Sequence, residues 1–108
     1  MAANIIVPDS WVVVCINTRG NPSTFKLLTS YSQGCASGPS WRLSSPIAHV
    51  TQRPDYYHIT TQSGSYYHCW NGALGLIEVT RERLQQWQQQ SKDLSYTITE
   101  FNIRAIKL

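Results

Sequence analysis

The stretch Tyr56-Tyr57-His58-Ile59-Thr60-Thr61-Gln62-Ser63-Gly64-Ser65-Tyr66-Tyr67-His68-Cys69-Trp70 reads as a β-hairpin. Aromatic and β-branched residues, which suit a pleated sheet, flank a Gln-Ser-Gly reversal. A two-residue primed turn would force Ser63 to positive φ. A three-residue loop built on a type I turn asks this only of Gly64, which has no Cβ to clash. The three-residue loop is therefore expected, and it sets the register. Thr61 lies opposite Ser65, Thr60 opposite Tyr66, Ile59 opposite Tyr67, His58 opposite His68, Tyr57 opposite Cys69 and Tyr56 opposite Trp70.

Alternation then sorts the hairpin into two faces. Tyr57, Ile59, Thr61, Ser65, Tyr67 and Cys69 form the face suited to a core. Tyr56, His58, Thr60, Tyr66, His68 and Trp70 form the other, an aromatic platform with two imidazoles directly opposite, within ~5 Å at Cβ. Tyr and Trp favour interfaces because one end buries while the other hydrogen-bonds. Six of the twelve aromatic residues fall between Trp41 and Trp70, so Tyr56, His58, Tyr66, His68 and Trp70, with Trp41, are the candidate binding residues.

Outward from the hairpin, Trp11-Val12-Val13-Val14-Cys15-Ile16 is a β-branched run bounded by Asn17 and Gly20, the pattern of a central strand buried on both faces. Asn21-Pro22 marks a turn, followed by a second strand from Thr24 to Ser30. A Ser/Gly-rich loop runs from Tyr31 to Ser40, and short strands are expected at Trp41 to Ser44 and Ile47 to Gln52, separated by Pro46. The one helix signal covers Thr80 to Lys92: Thr80 as cap, Glu82 in the first turn, Lys92 in the last and Asp93 ending it. Leu84, Trp87 and Ser91 make a narrow stripe, and the glutamines between them face solvent. Leu94 to Leu108 returns as β-prone chain whose alternation slips at Thr99-Glu100, where a bulge or bend is expected. The fold class is thus α+β, a curved antiparallel sheet or partly open barrel of five to seven strands with one helix packed on it, in a single domain over residues 1–108.

Composition excludes several classes. Hydrophobic residues are 42% of the chain and charged residues 14%, a folding composition poor in charge. The longest apolar run is far short of the ~20 residues of a membrane helix, so no membrane partner is expected. Met-Ala-Ala-Asn-Ile-Ile-Val-Pro lacks the basic residues of a secretory signal, which points to a cytoplasmic setting. Cys15, Cys35 and Cys69 are odd in number without CxxC spacing, so neither a disulfide set nor a zinc ribbon is indicated. The net charge of +3 comes from the first half, where Arg19, Lys26, Arg42 and Arg53 face only Asp9.

Three chemistries compete for the hairpin. Single-stranded nucleic acid would stack on Tyr56, Tyr66 and Trp70, with Arg42 and Arg53 on phosphates. A metal would need His58 and His68 plus His49 or Cys69, and Cys69 points to the other face, so no metal or cofactor is assigned. A small hydrolase would use His58 and His68. His58-Ile59-Thr60 resembles one His-x-Thr signature of two-histidine phosphodiesterases, but His68-Cys69-Trp70 lacks the hydroxyl residue of a second copy, and that resemblance is rejected. Ser45-Pro46-Ile47, Val50 and Thr61-Gln62-Ser63-Gly64-Ser65-Tyr66-Tyr67 together resemble the SPI…T-x-SG-S-x-Y pattern of small uncharacterised bacterial proteins carried on mobile DNA, such as integron cassettes or phages. That resemblance implies a hairpin and a genetic setting, and no catalytic residue. The expected function is a non-enzymatic binding module whose hairpin face meets a protein partner or a second copy in a homodimer.

Overall fold

The β-branched run quoted above becomes β2, Ser10–Thr18, in a computed structural model that describes residues 5–31, 40–91 and 96–106. It is a central strand, paired antiparallel on one side with β3, Thr24–Tyr31, and on the other with β8, Tyr96–Phe101. The strand β4, Ser40–Leu43, completes this central sheet in the order β4-β3-β2-β8. A second, outer sheet is built from β5, Ile47–Gln52, β6, Tyr56–Thr61, and β7, Tyr66–Trp70, with the two-residue β1, Ile5–Ile6, joined parallel to β7.

The fold is α+β, mostly antiparallel sheet with one helix, α1, Glu78–Gln90. Among the described residues eight strands are divided between two four-stranded sheets rather than curved into a single one. Both faces of the central sheet are covered, and the alternation along β2 shows how. Trp11 and Val13 join Leu27, Ile47, Tyr57, Ile59, Tyr67, Cys69 and Ile103 in a core between the sheets. Val12 and Val14 join Leu28, Leu84 and Ile98 in a second core beneath α1. A strand that fills two cores needs apolar residues at every position, which is why this run does not alternate. The layers are therefore outer sheet, central sheet and helix, and among the described residues no element packs on the second face of the outer sheet.

Several sequence expectations shift in detail. The helix starts two residues before Thr80, which occupies the third helical position. Its hydroxyl accepts the Ile77 N–H at 3.0 Å and donates to the Ile77 carbonyl at 3.1 Å, so Thr80 caps from inside the first turn. Glu78, not Glu82, is the acid of that turn. Of the expected stripe, Leu84 and Ser91 are buried and Trp87 partly so. The β2–β8 register runs unbroken through Thr99 and Glu100. Apparent slippage there reflects Ile98 serving the core under the helix and Phe101 the core between the sheets. The bulge lies instead in β5, between Ile47 and His49. The chain leaves β8 through a 3-10 turn, Ile103–Ala105. Lys92, Asp93, Leu94, Cys35 and most of the expected 31–40 loop lie outside the described residues. Among the described residues no helix is long and apolar enough to cross a membrane.

Candidate functional site: the open face of the outer sheet

The hairpin has the register its turn chemistry dictates. Gly64 has φ +91°, and its N–H bonds to the Thr61 carbonyl at 2.9 Å while the Thr61 N–H reaches Ser65 at 3.0 Å. Thr60 through Tyr56 pair in order with Tyr66 through Trp70, and His58 meets His68. The loop is held from outside. The Ser45 hydroxyl bonds Ser63 Oγ at 2.8 Å and accepts the Ser63 N–H at 3.2 Å, and the Gln62 N–H reaches the Pro46 carbonyl at 2.8 Å. Ser45-Pro46-Ile47 and Thr61-Gln62-Ser63-Gly64 are thus two halves of one structural unit.

The inner face behaves as core: Tyr57, Ile59, Thr61, Tyr67 and Cys69 are all buried. Trp11 ties this layer to the end of β7, donating its indole N–H to the Trp70 carbonyl at 2.8 Å and meeting the Tyr57 ring edge-on at 5.8 Å. Burial pushes the Cys69 thiol up to about 12. A thiol so disposed is neither a nucleophile nor a metal ligand near neutral pH.

On the open face Trp70 is 46% exposed and Tyr66 37%. The Tyr56 ring stacks on His68 at 3.9 Å and 17°, and Trp70 stands edge-on to both, at 5.6 Å from Tyr56 and 4.3 Å from His68. His58 packs against Tyr66 at 5.4 Å. Opposition in register therefore does not make a His–His pair, because each imidazole packs against a tyrosine ring instead. His68 Nε2 is buried without a hydrogen-bond partner. Such an arrangement stacks and packs. Among the described residues no cluster of three or more His, Cys, Asp and Glu could hold a metal ion.

The outer sheet brings further residues to this face. His49 and Thr51 of β5 lie opposite Thr60 and His58, and Ile5 of β1 lies beside Tyr66. Ile5 is 64% exposed, and Val7, one residue beyond β1, is 51% exposed. Four of the six large exposed hydrophobic side chains among the described residues, Ile5, Val7, Tyr66 and Trp70, thus gather along β1 and β7. The Ile5-Ile6-Val7 triplet was the available sign of that strand, and two residues are too few to stand out by periodicity.

The remaining candidates separate. Arg53 is exposed at the β5–β6 turn, where its N–H bonds the Tyr56 carbonyl at 2.8 Å, so it flanks the platform. Trp41 and Arg42 belong to β4 in the other sheet. Trp41 packs edge-on against Trp87 at 5.2 Å, and the Arg83 guanidinium lies 4.9 Å from both rings. Trp41 is therefore part of the helix-side core, while Arg42, exposed and opposite Thr29, acts on the hydroxyl of Tyr67 on the hairpin's inner face. Proximity in sequence groups both with the hairpin, and the crossing between sheets at residues 44–46 puts their strand in the other sheet. Comparison with protein family models, curated proteins and solved structures finds no match to this chain.

Proposed function

We propose that the protein is a non-enzymatic binding module whose open face, centred on Tyr66, His68 and Trp70, engages a protein surface, in the first instance that of a second copy of itself. One observation carries the reading: a sheet face uncovered among the described residues carries the exposed large hydrophobic residues Ile5, Tyr66 and Trp70 around stacked rings, with no Lys, Arg, Asp or Glu at any strand position on it. Monomers rarely present contiguous apolar patches of more than a few hundred Å² without using them. A face without formal charge is also complementary to itself, since two copies meet on it without like-charge repulsion despite the net charge of +3.

The dimensions set the strength. Four strands at ~4.8 Å spacing and about six residues at ~3.4 Å rise give a face ~19 by ~20 Å, smaller than the ~800 Å² per partner of a standard stable interface. Association through this face alone is accordingly weak and concentration-dependent. A polyanion is less well served, because only Arg53 of the two arginines considered lies beside the rings, and a track of cations is what gives single-strand binding its strength. The resemblance of the hairpin pattern to bacterial mobile-element proteins supplies a setting for such a module. The test is sedimentation equilibrium over a concentration series, wild type against Tyr66→Ser/Trp70→Ser, with circular dichroism on both. Self-association lost in a folded variant supports the reading; a monomer at every concentration overturns it.

A further inference from the structure

We infer that a cleft between β5 and the 3-10 turn after β8 is a binding site for a small organic monocarboxylate, with Arg104 as its anchor. The cleft lies at the edge strand of the outer sheet and stands independently of the open-face reading. Its volume is about 380 Å³, within the range of small-ligand sites. Four polar side chains line it: His49 and Gln52 of β5, Tyr57 of β6 and Arg104 of the turn. Among the described residues none of these four side chains makes a hydrogen bond or an ion pair with the protein. Tyr57 is only 5% exposed, where an unpartnered hydroxyl shut away from water is costly. Its oxygen is nevertheless not one of the sealed, unpartnered atoms, which are His68 Nε2 and Arg83 Nε. The hydroxyl therefore keeps its open surface where Tyr57 lines the cleft. The fold also fixes the arginine. Ile103 is buried in the core between the sheets, and the Asn102 side chain accepts the Arg104 N–H at 3.0 Å, so residue 104 sits on an anchored turn.

Charge and shape select the ligand. Arg104 carries the one permanent charge among the described lining residues, and no Asp or Glu lines the cleft. A single guanidinium is balanced by a monoanion, and its planar fork fits the two oxygens of a carboxylate. A phosphate monoester carries nearly two charges at neutral pH and would leave one unbalanced. The Tyr57 hydroxyl and the Gln52 amide add neutral donors, while Val50 and Ile103 give the body of the acid an apolar wall. Arg104 is exposed in the free chain, so water competes for its charge and the dissociation constant is on the order of 1 mM.

Titration of the isotope-labelled chain with benzoate, followed by two-dimensional amide NMR near neutral pH, tests this, with benzamide and inorganic phosphate as the comparison probes. Benzoate is expected to give saturable shifts concentrated at residues 49–52 and 103–104, and benzamide, which keeps the ring but lacks the charge, none that saturate over the same range. Arg104→Gln should weaken benzoate about ten-fold or more, as loss of a charged hydrogen-bonding partner does. Arg19→Gln, an exposed arginine in the β2–β3 turn, removes the same net charge elsewhere and should leave the affinity unchanged. Tyr57→Phe keeps the ring against Trp11 and should weaken binding by a smaller factor. No saturable benzoate shift, equal saturation by benzamide, or equal weakening by Arg104→Gln and Arg19→Gln overturns the site. Tighter saturation by phosphate than by benzoate overturns the assignment to carboxylates. Circular dichroism checks that each variant is folded, and if Tyr57→Phe is not, Arg104→Gln against Arg19→Gln decides.

Discussion

Val13→Ala measures how much the central strand matters, because Val13 is fully buried between the two sheets with Leu27 and Phe101 as its ladder partners. Removing two methyl-sized groups loses ~1.6 kcal/mol of transfer free energy at ~0.8 per group. The walls around the site are strands held by ladder hydrogen bonds on both sides of β2, so they collapse little into the space left behind. The unfilled cavity then raises the loss to about 2–3 kcal/mol. With a urea slope of ~2 kcal/mol per molar for a small domain, the denaturation midpoint falls by about 1 M or slightly more. Equilibrium urea unfolding followed by tryptophan fluorescence reads this directly. Thr51→Ala, exposed on the open face, is the control and is expected to stay within about 0.5 kcal/mol. A Val13→Ala midpoint equal to wild type would refute the placement of β2 between two cores.

Gly64→Ala isolates backbone conformation, since a Cβ there meets nothing within 4 Å but must accept φ +91°; a loss of about 1–2 kcal/mol in thermal or urea unfolding is expected, less for Gly64→Asn. Thr80→Val keeps shape but removes the acceptor for the Ile77 N–H, and about 1 kcal/mol less stability with reduced helical dichroism is the expected outcome. The Cys69 thiol, raised from 9.0 to about 12 by burial, should resist a disulfide reagent in the folded protein, read in a Cys15→Ser/Cys35→Ser background, and react on unfolding. Its folded value lies above its unfolded one, so its contribution to stability is present below pH 9.0 and lost as pH rises toward about 12.

The hairpin was legible in the sequence because a single turn residue decides its register: only Gly64 accepts positive φ without strain, and every pair from Tyr56 to Trp70 follows from that. The central strand was legible because an unbroken β-branched run has few other uses. The division into two sheets was not, since strand partners beyond a hairpin depend on packing rather than on local pattern. His49 shows why one residue can mislead. From a buried Ile47, simple alternation turns His49 inward, and the bulge between them turns it outward beside Thr60. Trp41 reads as one more aromatic near the hairpin until the chain changes sheets at Ser44–Pro46 and leaves it against Trp87 and Arg83. The helix start was displaced because Thr80 serves as a cap equally well from inside the first turn.

Whether the open face is a contact surface is tested most directly by sedimentation equilibrium of the wild-type chain and Tyr66→Ser/Trp70→Ser near neutral pH. Both substituted residues are exposed, so the variant is expected to keep its dichroism spectrum and unfold as one cooperative unit. A wild type that dimerises with rising concentration and a folded variant that stays monomeric is the predicted result. A wild type that stays monomeric throughout, or a variant that dimerises as well as its parent, would contradict it.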